Sequence, residues 1–385
     1  LRADDCMRTL TACRSLGVGM TMRGTTITIE GRGPSALKEP QNVIDAGNSG
    51  TTMRLMAGLL SARPFFSVIT GDDSLRRRPM KRVADPLRAM GARIWGREGG
   101  DKAPLVIQGG DLKGIIHDLP VPSAQVKSAI LLAGLHANGT TTIVEPVKSR
   151  DHSERMLRLF GARLREEGTS VEIVGGQELR GTVVDIPGDI SSAAFFVVAA
   201  LITGRSEILI QDVLLNPGRT GFIEVLQDMG ADIEVEDMRA SGPEPRGDLR
   251  VRSSSLHGTE ISGEIIPRAI DEIPALCVAA AMAEGETVVR DAAELRVKES
   301  DRIATMAEEL RRFGVHVKET PDGLRITGRK KLRGARCRSN GDHRVAMALS
   351  VLGLAVPGKT TIEDTECIET SFPGFSTILK KLSRP

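Results

Sequence analysis

Residues 122–144 read PSAQVKSAILLAGLHANGTTTIV: a polar turn, small apolar residues over a helical length, a glycine, then a run of Thr, Ile and Val. Apolar character on every side marks a helix that is buried all round, and the β-branched run marks a strand. The same order returns at 47–69 (GNSGTTMRLMAGLLSARPFFSVI), 188–210 (GDISSAAFFVVAALITGRSEILI), 271–289 (DEIPALCVAAAMAEGETVV) and 341–362 (GDHRVAMALSVLGLAVPGKTTI). A second pattern alternates with it, an amphipathic helix closed by an apolar residue, a glycine and a short strand. It occurs at Gly17, Gly91, Gly161, Gly230 and Gly314, roughly 70 to 85 residues apart.

One repeat is therefore turn, buried helix, strand, amphipathic helix, Gly, strand and hairpin, an α/β module used about six times. Leu1 to Gly17 is already the second helix of the first repeat, so by phase roughly forty residues would precede it. Three repeats end near Asp185, which places a domain boundary close to residue 187, between residues 1–186 and 187–385. Buried helices that all start from polar turns aim several N-terminal dipoles one way, and such ends attract anions.

Composition narrows the function. Lys plus Arg (52) nearly cancels Asp plus Glu (50) in a scattered distribution, which offers no nucleic-acid face. Apolar residues make up 40%, with 41 glycines and no tyrosine, which suits helices packed closely through small side chains. Cys6, Cys13, Cys277, Cys337 and Cys367 form no CxxC pair and are odd in number, as in a reduced, cytoplasmic compartment. No apolar run reaches the ~18 residues of a membrane span.

Several turns carry more chemistry than a cap needs. GNSGTTMR (47–54) is either a good cap or an anion cradle. SLRRRPMKR (74–82) is a solvated charge run or a carboxylate and phosphate binder. GDHRVAMA crowds Asp342, His343 and Arg344 into one helical turn, and SRDHSER (149–155) is similar, although Asp151 alone explains it as a cap. IDEIPAL places Asp271 and Glu272 where the dipole favours acids. In RVKESDR (296–302), Lys298 and Arg302 stand four apart, so a helix would put both charges on one face, where they repel unless an anion docks. GLAVPGKT (353–360) matches the phosphate-binding P-loop pattern, the mark of a nucleotide-binding protein, yet a helix precedes it and a strand follows, the reverse of that motif's context.

Taken together, DAGNSGTTMRLMAGLL, RRPMKRVADPL, PSAQVKSAILLAGL, SRDHSERM, IPGDISSAAFF, IDEIPAL, ELRVKESDRI and GDHRVAMA resemble the 5-enolpyruvylshikimate-3-phosphate synthase family, collinearly from about Asp45 to Phe375. The resemblance implies two domains of three βαβαββ repeats each, the first repeat incomplete here, with the active site in the cleft between them. It implies transfer of the enolpyruvyl group of phosphoenolpyruvate to the 5-hydroxyl of shikimate 3-phosphate through a tetrahedral intermediate, with release of phosphate and with no metal or organic cofactor. A cytoplasmic monomer without nucleic-acid or membrane partners is the expected form.

Carried over by motif, Gly50, Arg78, Gln125, Arg302 and Arg344 resemble the phosphoenolpyruvate ligands. Ser123, Ala124, Gln125, Ser149, Asp271 and Lys298 resemble those of shikimate 3-phosphate. Asp271 resembles the base near the 5-hydroxyl, and Glu299 the acid that handles the methylene proton. The family's N-terminal turn, with a Lys-Ser pair and an Arg, would precede Leu1. A Lys that some members carry before SFP is here replaced by Thr370 and Ser371. The rival of the same fold, the enolpyruvyl transferase acting on UDP-N-acetylglucosamine, usually carries a reactive cysteine in the loop that corresponds to residues 72–77, and this loop has none.

Overall fold

The computed structural model describes residues 1–240, 242–328 and 331–383. The chain divides into two compact halves, Leu1–Val184 and Asp185–Pro385. Each half has its own hydrophobic core.

The first half opens with α1 (Asp4–Ser15) and the hairpin β1 (Gly19–Arg23) and β2 (Thr26–Glu30). The second repeat is complete: β3 (Ile44–Asp45), α2 (Gly50–Ser61), β4 (Phe66–Thr70), α3 (Lys81–Met90), β5 (Arg93–Gly96), a single turn α4 (Arg97–Gly100) and β6 (Lys102–Gln108). Its sheet runs β3-β4-β6-β5, with the β3–β4 pair parallel and the others antiparallel. The third repeat follows the same plan with β7 (Ile116–Asp118), α5 (Ala124–Gly134), β8 (Thr140–Val144), α6 (His152–Leu159), β9 (Leu164–Glu167) and β10 (Ser170–Val174), in the order β7-β8-β10-β9.

The second half contains α7 (Ile190–Ile202), β11 (Glu207–Leu214), α8 (Gly221–Asp228), β12 (Asp232–Arg239) and β13 (Arg246–Arg252) as its first repeat. Next come β14 (Glu260–Ile261), α9 (Ile265–Ala269), α10 (Ile273–Met282), β15 (Glu286–Val289), α11 (Arg302–Arg312), β16 (His316–Thr320) and β17 (Gly323–Thr327). The last repeat has β18 (Arg336–Arg338), α12 (His343–Ala355), β19 (Thr361–Glu363) and α13 (Phe375–Leu382). The leading strands β3, β7, β14 and β18 each pair in parallel with the strand after their buried helix, so every helix crosses over its own sheet.

The recurring glycines end the amphipathic helices. Gly91, Gly161, Gly230 and Gly314 have φ between 90° and 118°, a left-handed conformation that costs a residue with a Cβ. The residue after each returns its amide to a carbonyl in the last helical turn, as Ala92 does to Leu87 at 3.1 Å. The buried helices α2 and α5 pack so closely that a Cβ on Gly58 would stand 2.1 Å from the Ala129 carbonyl oxygen. In the second half α7, α10 and α12 pack on one another, and Phe195 and Phe196 of α7 meet Phe375 of α13. The single tryptophan, Trp95 on β5, is 53% exposed. None of the five cysteines is in a disulfide, and no described helix is long and apolar enough to cross a membrane.

Candidate active site

In the first half the turns before α2 and α5 carry the expected residues. Ser49 is a true cap, its hydroxyl accepting from the Thr52 amide at 3.1 Å. Gly50 does something a cap does not require. A Cβ there would lie 2.8 Å from Arg54 Nη1 and 3.3 Å from Arg78 Nη1, so the missing side chain lets two guanidiniums lie against the start of the helix. Arg78 is 7% exposed and donates to Asn48 Oδ1 at 2.7 Å. Arg77 and Lys81 of the same basic cluster are exposed, and Arg76 and Arg82 are half-buried. The cluster thus splits into a solvated run and one guanidinium drawn inward.

Gln125 sits in the first turn of α5, accepting from Arg54 Nη1 and donating to Thr51 Oγ1 at 2.8 Å. The structure therefore gathers Gly50, Arg78 and Gln125 around Arg54, a residue to which the motifs gave no role. Its signal was present, because Arg54 is the one charged residue in the otherwise uncharged helix α2 and is only 8% exposed. Ser123 occupies the N-cap position of α5 without capping it, and Ala124 is the first helical residue. Ser149, in the irregular stretch before α6, donates its hydroxyl to Glu145 and stands apart from the Arg54 cluster in its bonding. Asp151 precedes α6 but does not cap it, and pairs with Arg155 at 2.9 Å instead.

In the second half the cluster gathers at the N-termini of α10, α11 and α12. Arg302, 2% exposed, donates Nε to Asp342 Oδ2 at 2.8 Å and Nη2 to Glu299, and its Nη1 lies 3.6 Å from Asp271 Oδ1. Burial opposes its charge, yet Asp342, Glu299 and Asp271 outweigh burial and hold the guanidinium pKa above its ordinary value. Burial likewise pushes Asp342 up, and Arg302 more than offsets this, leaving it below the usual carboxylate range. Asp342 also caps α12, accepting from the Arg344 amide at 2.9 Å. Arg344 donates Nη1 to the Asp271 carbonyl oxygen at 3.1 Å. His343 is pushed down to about 4, first by burial and then by Arg344, so it is a neutral imidazole at neutral pH.

One expectation is overturned. Lys298 and Arg302 do not share a helical face, because α11 begins at Arg302 and Lys298 lies before it, half-buried, after the short turn Ala293–Val297. Asp301 is the reason: its Oδ1 accepts from the Ala304 amide at 3.0 Å and fixes the start of the helix. Glu272, for its part, makes no side-chain cap for α10. It is fully buried, accepts from the Ser191 hydroxyl and lies 3.5 Å from Arg219 and 3.9 Å from Arg344. Lys359 of the P-loop lookalike falls in the turn from α12 to β19, so no helix N-terminus stands behind it.

Asp271, Glu299, Arg302 and Arg344 thus form one arrangement, in which two carboxylates able to exchange protons lie beside two guanidiniums able to hold carboxylate or phosphate. A family model described as EPSP synthase (3-phosphoshikimate 1-carboxyvinyltransferase) matches residues 1–379. The 3-phosphoshikimate 1-carboxyvinyltransferase of Geobacter sp. (strain M21) is 58% identical over 98% of this chain and 88% of its own length. That of Desulforudis audaxviator (strain MP104C) is 57% identical over 99% of this chain and 89% of its own length. The solved EPSP synthase of Acinetobacter baumannii superposes with a TM-score of 0.87 at 48% identity, covering 99% of this chain and 88% of that one. Fold, sequence and the basic-acidic cluster lead to one assignment: this chain belongs to the EPSP synthase family.

Proposed function

We propose that this chain transfers the enolpyruvyl group of phosphoenolpyruvate to the 5-hydroxyl of shikimate 3-phosphate and releases phosphate, a step of aromatic amino-acid biosynthesis. Family membership supports the reaction, and one observation carries the mechanism: the guanidinium of Arg302 has both Asp271 and Glu299 within reach. In this reading Arg302 and Arg344, with Arg78, Gln125 and the Gly50 amide, bind phosphoenolpyruvate. Three guanidiniums suit a ligand that carries both a carboxylate and a phosphate. Ser123, Ala124, Gln125, Ser149 and Lys298 bind shikimate 3-phosphate.

Asp271 takes the proton of the 5-hydroxyl as its oxygen bonds to C2 of phosphoenolpyruvate, while Glu299 gives a proton to C3. The product of this addition is tetrahedral at C2. Elimination reverses the second transfer: Glu299 removes a proton from C3, the double bond returns, and phosphate leaves with the bonding electrons. The neutral His343 adds no further charge to this proton inventory. The domains follow the repeats, three in residues 1–186 and three in 187–385, and the enzyme works as a monomer in the cytoplasm, a reduced compartment that five cysteines outside any disulfide suit.

The test is phosphate release from phosphoenolpyruvate with shikimate 3-phosphate or UDP-N-acetylglucosamine as acceptor. Release only with shikimate 3-phosphate is expected. Release with the nucleotide sugar alone, or with neither acceptor, would overturn the assignment. Elution from size exclusion at the mass of a dimer would refute the monomer.

A further inference from the structure

Helix α5 is apolar on most sides, yet its first turn carries Lys127, with a side chain only 1% exposed. Its Nζ lies 2.7 Å from Glu145 Oε2, just after β8, and 2.8 Å from Glu154 Oε1 on α6, and both acid side chains are 2% exposed. A buried ion group of this kind adds little stability over an apolar core of the same shape, so stability explains it poorly. The bonding of Glu145 points elsewhere. Its Oε1 accepts the Ser149 hydroxyl, and its Oε2 accepts the Ser149 amide at 3.3 Å as well as Lys127. One carboxylate thus fixes both the side chain and the backbone of Ser149, in a stretch that has no regular secondary structure.

The remaining contacts brace that carboxylate. Glu154 ties Lys127 to α6, and the Ser128 and Ser153 hydroxyls, 2.6 Å apart, join the same two helices again. Burial works against the Lys127 charge, but Glu154 and Glu145 outweigh it and raise its pKa, so Lys127 is cationic at neutral pH. One cation serves two acids. Glu145 has both oxygens bonded, whereas Glu154 Oε2 is buried without a hydrogen-bond partner among the described residues, and burial pushes the Glu154 pKa up. Glu145 is therefore the acid that holds Ser149, and Glu154 the one that braces Lys127.

We propose that Lys127, Glu145 and Glu154 are positioning residues for the acceptor subsite, acting on shikimate 3-phosphate through Ser149. This rests on the reading of Ser149 as a ligand of that substrate. Glu145→Gln keeps the shape and removes the charge, and should raise KM for shikimate 3-phosphate roughly tenfold, with KM for phosphoenolpyruvate within about twofold. Ser149→Ala should do the same, and the double variant should be no worse than either single one, because both changes interrupt one chain of contacts. Lys127→Met, which leaves two buried acids and is liable to misfold, is paired with Lys127→Met/Glu154→Gln, which should fold and show the same selective rise. An equal rise for both substrates, or single effects that multiply in the double variant, would overturn the proposal. A second arm needs no turnover: amide exchange across residues 145–151 should be faster in Glu145→Gln than in the wild type without ligand. Unchanged exchange would refute the positioning role, whereas an inactive wild type with faster exchange in the variant would refute the proposed reaction and leave the bracing intact.

Discussion

Asp342 is the acceptor for five donors: Arg302 Nε and Nη2 at 2.8 and 3.4 Å, the Ser300 hydroxyl at 3.2 Å, and the Arg344 and Val345 amides at 2.9 and 3.4 Å. Its two tasks can be separated. Asp342→Ala leaves a buried Arg302 nitrogen without its acceptor, which costs about 1–3 kcal/mol, and uncaps α12, which costs about 0.5–2 kcal/mol. The total is about 1.5–5 kcal/mol. Asparagine is as good a cap as aspartate through Oδ1, but its NH2 then replaces the Oδ2 that accepts Arg302 Nε, so Asp342→Asn should keep the cap and lose that acceptor, about 1–3 kcal/mol. The expected order is wild type, Asn, Ala, with a gap of about 1 kcal/mol between the variants from the cap. Urea denaturation followed by far-UV circular dichroism measures the ranking, and native-state amide exchange shows where the loss falls. Since each half has its own core, the loss should appear in residues 185–385 and spare 1–184. An alanine variant within about 0.5 kcal/mol of wild type, or an asparagine variant as unstable as it, would refute this account.

His343 is held at about 4 in the fold against 6.5 when free, so its neutral form contributes stability in full above pH 6.5 that is lost as pH falls toward 4. The difference is worth about 3 kcal/mol, and His343→Gln should flatten the loss of the urea midpoint between pH 7.5 and 5; an equally steep fall in the variant would assign it to other groups. Gly58→Ala should cost about 1–3 kcal/mol, because the new Cβ meets the Ala129 carbonyl rather than a movable side chain, and an unchanged midpoint would show that α2 and α5 separate freely. Arg54→Met should lower kcat/KM at least about tenfold without unfolding the protein, since Gln125 loses the donor that fixes its amide; unaltered kinetics would make Arg54 a purely structural residue.

The repeat was legible because its signals are local. Apolar runs announced the buried helices, and glycines that must adopt left-handed angles announced the ends of the others. The leading strands β3 and β14 are two residues long, too short to carry a period, and exist only because a strand formed later in the chain pairs with them. The site was legible residue by residue but not as a network. Arg302 reaches an acid 40 positions away, and Lys127 one 18 positions away, and no spacing rule connects such partners. The misplacement of Lys298 has a local cause, since RVKESDR suits a helix by composition until Asp301 is recognised as its cap rather than its interior.

The lone tryptophan governs how any of this can be watched. With no tyrosine in the sequence and Trp95 already about half in water on β5, near-ultraviolet absorption is weak and the indole emission should shift little on unfolding. The second half contains no tryptophan and is silent to tryptophan-selective excitation. The natural protein is therefore an optically quiet host, into which an indole placed at the fully buried Phe222 would introduce a reporter for the second half alone.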